Sequence, residues 1–173
     1  MSLRNSSLAG LLLLALVACA PTLDWRLVRP EEGSIEALFP CKPKSHARTV
    51  TLAGSHVRML MYACTAAEHT YALTFADLGD PGRVTPALRE MRTAASANIG
   101  GIEAGASAFE VAGMTPNPAT QRVEVKGQLP DGASIRQQAG FFAKGTRVYQ
   151  ASIVGPRPEG EATDSFFAGL KLL

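Results

Sequence analysis

The sequence predicts an α+β fold: an antiparallel β-sheet with one long mid-chain helix and a short C-terminal helix packed on one face. Three observations carry this. From Trp25 onward large apolar residues alternate with small or polar ones, as in Tyr71, Leu73 and Phe75 against Ala72, Thr74 and Ala76, the period-two pattern of half-buried strands. In mid-chain the period changes, and Leu88, Met91, Ala95 and Ile99 recur at helical spacing on one face. Between the periodic runs stand Gly- and Pro-bearing turn signals such as Ala53-Gly54 and Pro130-Asp131-Gly132.

The elements follow in order. Runs 25–28 and 34–39 flank the turn-like Pro30-Glu31-Glu32-Gly33. Runs 45–52 and 55–64 flank Ala53-Gly54 and read as a hairpin. Pairing Leu52 with Ser55 puts His56 opposite Thr51, Met61 opposite His46 and Pro43 opposite Cys64. Run 70–76 continues the sheet, with Leu60, Tyr62 and Cys64 placed to face its aromatic side. Thr85 as N-cap and Pro86 at the first helical position start a helix over 86–98, and Gly100-Gly101 end it. Strands are predicted over 108–112, 121–129, 134–142 and 147–154. A short helix follows over 161–168, burying Phe166 or Phe167, and the chain ends in Leu170, Leu172 and Leu173.

The first residues are a separate matter. Arg4 precedes an apolar run, 8–18, that contains four consecutive leucines and is too short to span a bilayer; this is the build of a secretory signal. Its end, Leu16-Val17-Ala18-Cys19, resembles the lipobox of bacterial lipoproteins. The resemblance implies a signal peptide over 1–18, removed so that Cys19 becomes the first mature residue and carries acyl chains. It further implies a lipidated tether over 19–24 and a single α+β domain over 25–173. Two or three acyl chains hold a protein on a membrane stably, where one does so only marginally. The implied location is the bacterial cell envelope, with the membrane as a partner through the lipid anchor. Ala20, standing where an Asp favours inner-membrane retention in enterobacterial lipoproteins, points to the outer membrane facing the periplasm. The alternative is a plain secreted protein whose Cys19 is not processed.

Composition narrows the function classes. The formal net charge is +2, and loss of the signal, which holds Arg4 and no acid, lowers it by one. So balanced a chain lacks the basic footprint of a nucleic-acid binder, and no nucleic-acid partner is expected. With Cys19 set aside, two cysteines remain, Cys41 and Cys64, an even count for an oxidising compartment. In the hairpin register Cys41 is a diagonal neighbour of Cys64, near the reach of a disulfide, which would add about 3.4 kcal/mol in the chain-entropy model. Two buried thiols or a reactive pair are the alternatives, the last disfavoured by the absence of Cys-x-x-Cys.

The search for chemistry returns little. His46, His56 and His69 have no metal-ligand spacing, so no metal and no cofactor are expected. Ser55 and His56 are adjacent strand residues pointing to opposite faces, unable to form a nucleophile–base pair. Asp77 and Asp80 lie in a Gly/Pro loop, with Glu68 a conceivable companion, and such loop acids read as turn formers. One pattern stands out. Lys42, Lys44, His46 and Arg48 alternate and so share a strand face, with Met59 and Met61 on the same side. They read either as charges that guard an edge strand or as a contact face, a basic rim over an adaptable apolar floor, for an anionic partner or lipid headgroups.

From Ser34 to Leu172 the chain resembles a loose group of bacterial envelope proteins of unknown function with the order of PsbP-like α/β sandwiches. The residues that carry the resemblance are Phe39-Pro40-Cys41-Lys42-Pro43, Tyr62 and Tyr71, the mid-chain helix 88–99, Arg147-Val148-Tyr149, and Ser165-Phe166-Phe167 leading to Leu170-Lys171-Leu172. No catalytic residues come with it. The expectation is a lipid-anchored, periplasmic-side envelope protein acting as a non-catalytic interaction or accessory module with an envelope protein partner. The alternative is a binder of a small apolar or amphipathic ligand between sheet and helix, for which an apolar pocket of several hundred Å³ is the distinguishing mark. An enzyme with an unrecognised site is the remote third.

Overall fold

The computed structural model describes residues 23–173. The signal segment, Cys19 and most of the tether lie outside the described residues. The strands are β1 (Arg26–Val28), β2 (Ile35–Phe39), β3 (Lys44–Leu52), β4 (Ser55–Ala66), β5 (His69–Asp77), β6 (Ile102–Ser107), β7 (Gln121–Gln128), β8 (Ser134–Lys144), β9 (Arg147–Gly155) and β10 (Lys171–Leu172). The helices are α1 (Val84–Asn98) and α2 (Glu161–Ala168). Seven strands form one antiparallel sheet in the order β3-β4-β5-β9-β8-β7-β6, and β1-β2-β10 form a small second sheet. The fold is thus α+β with strands dominant.

The hairpin register is the predicted one, Leu52 against Ser55 through to Lys44 against Ala63. Its two-residue turn puts Ala53 at φ 48° and Gly54 at φ 75°, the left-handed pair that matches strand twist. Pairing stops at Lys44, and just beyond it Cys41 and Cys64 are joined in a disulfide with their Cα atoms 6.0 Å apart.

Because side chains alternate across a strand, the large sheet has two different faces. One carries Leu60, Tyr71, Leu73, Phe75, Phe142, Tyr149, Ala151 and Ile153, which pack with Ile35, Ala37, Phe39, Phe166, Phe167, Leu170 and Leu172 of the small sheet and α2. The other carries Ala76, Val123, Val125, Ala139, Phe141, Ala143 and Val148, which pack with Val84, Ala87, Leu88, Met91 and Ala95 of α1. The expectation of two helices on one face is therefore corrected. They lie on opposite faces, because β10 pairs with β2 and draws the C-terminal segment, α2 included, to the side that the small sheet covers. The short helix itself spans the predicted 161–168, and both Phe166 and Phe167 are buried.

Two further differences have local causes. α1 starts at Val84, so Pro86 is its third residue, and a single 3₁₀ turn, Pro81–Arg83, leads into it. The cap belongs to that turn, where Asp80 Oδ1 accepts from the Gly82 amide at 2.8 Å; Thr85 instead accepts from Asn117 Nδ2 at 2.9 Å. The predicted strand 108–112 is irregular, and the strand of that region is β6, six exposed residues with no apolar period to announce it. The helix end matches the Gly100-Gly101 expectation. The Gly101 amide reaches Ser96 O and the Gly100 amide reaches Ala97 O, a Schellman motif with Gly100 at φ 55°.

Candidate functional site

α1 packs over β6 to β9 and reaches the β3–β4–β5 wing of the same face only toward the hairpin tip, where Leu52, Val57 and Ala76 join its cluster. The angle between helix and wing is a groove of about 590 Å³, within the size range of small-molecule sites. The chain builds its floor from short side chains. Ala63, Ala72 and Ser152 lie in one cross-strand row, with Ala139 continuing it under α1. Met91, Ala94 and Asn98 of α1 and Ile99 just after it form the far wall. At the hairpin tip the helix touches the wing, where the Ala53 amide donates to Glu90 Oε2 at 2.8 Å. Glu90 also lines the groove, and this bond holds its carboxylate at the tip end.

The predicted contact face divides here. His46 pairs with Met61 and Arg48 with Met59, so these four side chains share one face at the groove's outer wall. Met61 is 38% exposed and His46 and Arg48 are exposed, which makes this the open side. Arg48 makes no ion pair among the described residues. Lys42 and Lys44 do not line the groove; both are exposed, Lys42 before β3 begins and Lys44 at its first residue. β3 is also an edge of the seven-stranded sheet, so among the four basic residues the edge position and the groove lining coincide at His46 and Arg48 only.

Sequence reasoning missed the groove's polar interior. Gln137 on β8 is only 4% exposed, and its Oε1 has no hydrogen-bond partner among the described residues. It lines the groove with Gln150, Thr70 and Thr74. A signal was present: Gln137 shares parity with Ala139 and Phe141, so a polar residue stands on a strand face that is otherwise apolar.

The other candidates do not converge on a site. Thr51 Oγ1 and His56 Nδ1 are 3.3 Å apart on an exposed surface, and His69 Nδ1 lies 2.7 Å from Ala67 O in a turn. Among the described residues no three His, Cys, Asp or Glu side chains are arranged to hold a metal. Glu68 precedes β5 and Asp77 ends it, so the strand's length separates the two acids. Asp77 instead forms a structural node. Thr146 Oγ1 donates to its Oδ1 at 2.6 Å, the Gly79 amide at 3.0 Å, and Arg147 Nη2 donates to Oδ2 at 3.1 Å. The Thr146 hydroxyl foremost, then the Gly79 amide and the Arg147 charge, hold its pKa below the ordinary Asp value. Burial pushes the phenols of Tyr71 and Tyr149 up, and the Tyr149 hydroxyl donates to Gly33 O at 2.7 Å, tying the sheet to the β1–β2 turn.

No helix of the described residues is long and apolar enough to cross a membrane. In comparisons with known proteins, no family model and no curated protein matches this chain.

Proposed function

We propose that this chain is a lipid-anchored envelope protein whose domain, without catalysing a reaction, binds a small amphipathic ligand, a single acyl chain with an anionic head. The observation that carries the reading is the groove of about 590 Å³ between α1 and the β3–β4–β5 wing. Its floor of Ala63 and Ala72 and its methionines suit a flexible apolar chain. Its open side offers His46 and Arg48 to a negative head, while the Ala53 amide holds the Glu90 carboxylate at the hairpin tip. The expected acylation of Cys19 supports the reading, since it would keep the groove beside a membrane, where such molecules are concentrated. An envelope protein partner is the second reading, favoured by Lys42 and Lys44, which stand exposed outside the groove.

The test is native mass spectrometry of the full chain released from detergent micelles and titrated with hexadecanoate. A one-to-one adduct is expected, with hexadecanol binding more weakly. Filling the floor with Ala72→Phe is expected to weaken the adduct by about tenfold or more, since the chain loses the space it occupies. Arg48→Glu is expected to erase the advantage of the acid over the alcohol. A wild type that forms no adduct, or a filled variant that binds as well as the wild type at an unchanged melting temperature, overturns the proposal.

A further inference from the structure

We infer that Gln137 reads a second polar group on the ligand, so that the groove selects a chain with a hydroxyl or amide far from its anionic head. This rests on the amphipathic-ligand reading above and narrows the ligand class.

Buried polar atoms in folded proteins nearly always have a hydrogen-bond partner, and one left without is a cost that something must offset. Gln137 Oε1 is such an atom, on a side chain 4% exposed that borders the groove. Its cross-strand neighbours on the same face are Val125 of β7 and Val154 of β9, neither of which has a side-chain donor. α1 ends close by, with Gly101 packed against Lys126 and Val125 and with Ile99 O against Gly127. The wall also carries the Asn98 amide, but Gln137 Oε1 has no hydrogen bond to it or to any other described group, which leaves the Gln137 amide to a guest. An amide carries an acceptor and a donor related by rotation about one bond, so its natural complement is a group that can do either, a hydroxyl or another amide.

The sheet register fixes how far this contact lies from the basic rim. His46 pairs with Met61, Met61 with Thr74, Thr74 with Gln150, and Gln150 with Phe141, so the path from His46 crosses to β8. Gln137 lies on β8 on the same face as Phe141, two alternations away. With strands about 4.8 Å apart and about 3.3 Å per residue, the two contacts are separated by roughly 23 Å. That is the reach of an extended long acyl chain. The ligand implied is therefore anionic at one end and hydroxylated or amidated near the other.

The test compares hexadecanoate with ω-hydroxyhexadecanoate on the full chain by the same mass-spectrometric titration, with melting temperatures recorded alongside. The wild type is expected to bind the ω-hydroxy acid about tenfold more tightly, the scale of one buried hydrogen bond. Gln137→Leu is expected to reverse or erase that preference, read as the ratio of the two affinities in a variant that melts as the wild type does. Gln137→Met, a second apolar side chain of similar length, is expected to do the same. Equal binding of the two acids by the wild type, or a preference that survives both substitutions, overturns this inference and leaves the proposed function standing. Failure of both acids to bind the folded wild type overturns both.

Discussion

Asp77 shows how one side chain fastens two parts of the fold. It ends β5, accepts from the Gly79 amide of the following turn, and reaches Thr146 and Arg147 of the β8–β9 hairpin. Arg147 in turn donates through Nη1 to Ser34 Oγ at 3.0 Å, extending the link to the turn that leads into β2. The lowered pKa gives this node a pH signature. A carboxyl whose folded-state pKa lies below its unfolded value stabilises fully above the ordinary range near pH 4 and loses that stabilisation as acid reaches the lowered pKa. Asp77→Asn is therefore expected to unfold more easily at pH 7 by about 1 kcal/mol at most, since the carboxylate is half exposed and screened. The deficit is expected to shrink as the pH is lowered from 5 to 2. Urea unfolding of both proteins across that range measures it, and a deficit independent of pH would show that shape rather than charge matters at this position.

At the scale of elements, the disulfide links the β2–β3 connection to the far part of β4, across a sequence separation of 23 residues. Replacing Cys41 and Cys64 together by serine is expected to cost about 3.4 kcal/mol, which for a domain of this size lowers the melting temperature by about 10 °C. Calorimetry of the wild type and the double variant checks this, and a fall of less than about 2 °C would show that the unfolded chain gains little freedom when the bridge is lost. The bridge and the hairpin register were legible in the sequence because both are local: a two-residue turn sets the pairing, and pairing sets which side chains meet. The strand bearing Tyr71, Leu73 and Phe75 and the end of α1 were legible for the same reason. β6 was not, because its residues are all exposed and carry no period. The side on which α2 packs was not legible either, since it depends on the pairing of β10 with β2, a contact between the two ends of the chain. Of the site, the alternation of His46 and Arg48 with the facing Met59 and Met61 could be read. The cavity itself could not, because it exists only where α1 stops short of the wing.

At the scale of the molecule, the large sheet is a middle layer between α1 and the small sheet with α2. The Asp24 amide donates to Pro40 O at 2.8 Å, so the chain enters the fold beside the disulfide and beside Lys42 and Lys44. The residues between Cys19 and Asp24 span at most about 18 Å. Acylation of Cys19 would thus turn this end of the sheet toward the membrane. Growth with an alkynyl palmitate is expected to tag the wild type and leave Cys19→Ser untagged, read by in-gel fluorescence; equal tagging of the two, or tagging of neither, removes the proposed anchor. The two-faced sheet also constrains how the gene can drift. β5 sends Tyr71, Leu73 and Phe75 to one core and Ala72, Thr74 and Ala76 to the other side. One codon gained or lost inside that strand would send large rings into the groove and leave alanines to fill the aromatic core. Length changes in descendants of this gene should therefore collect in turns such as Pro130-Asp131-Gly132 and stay out of the central strands.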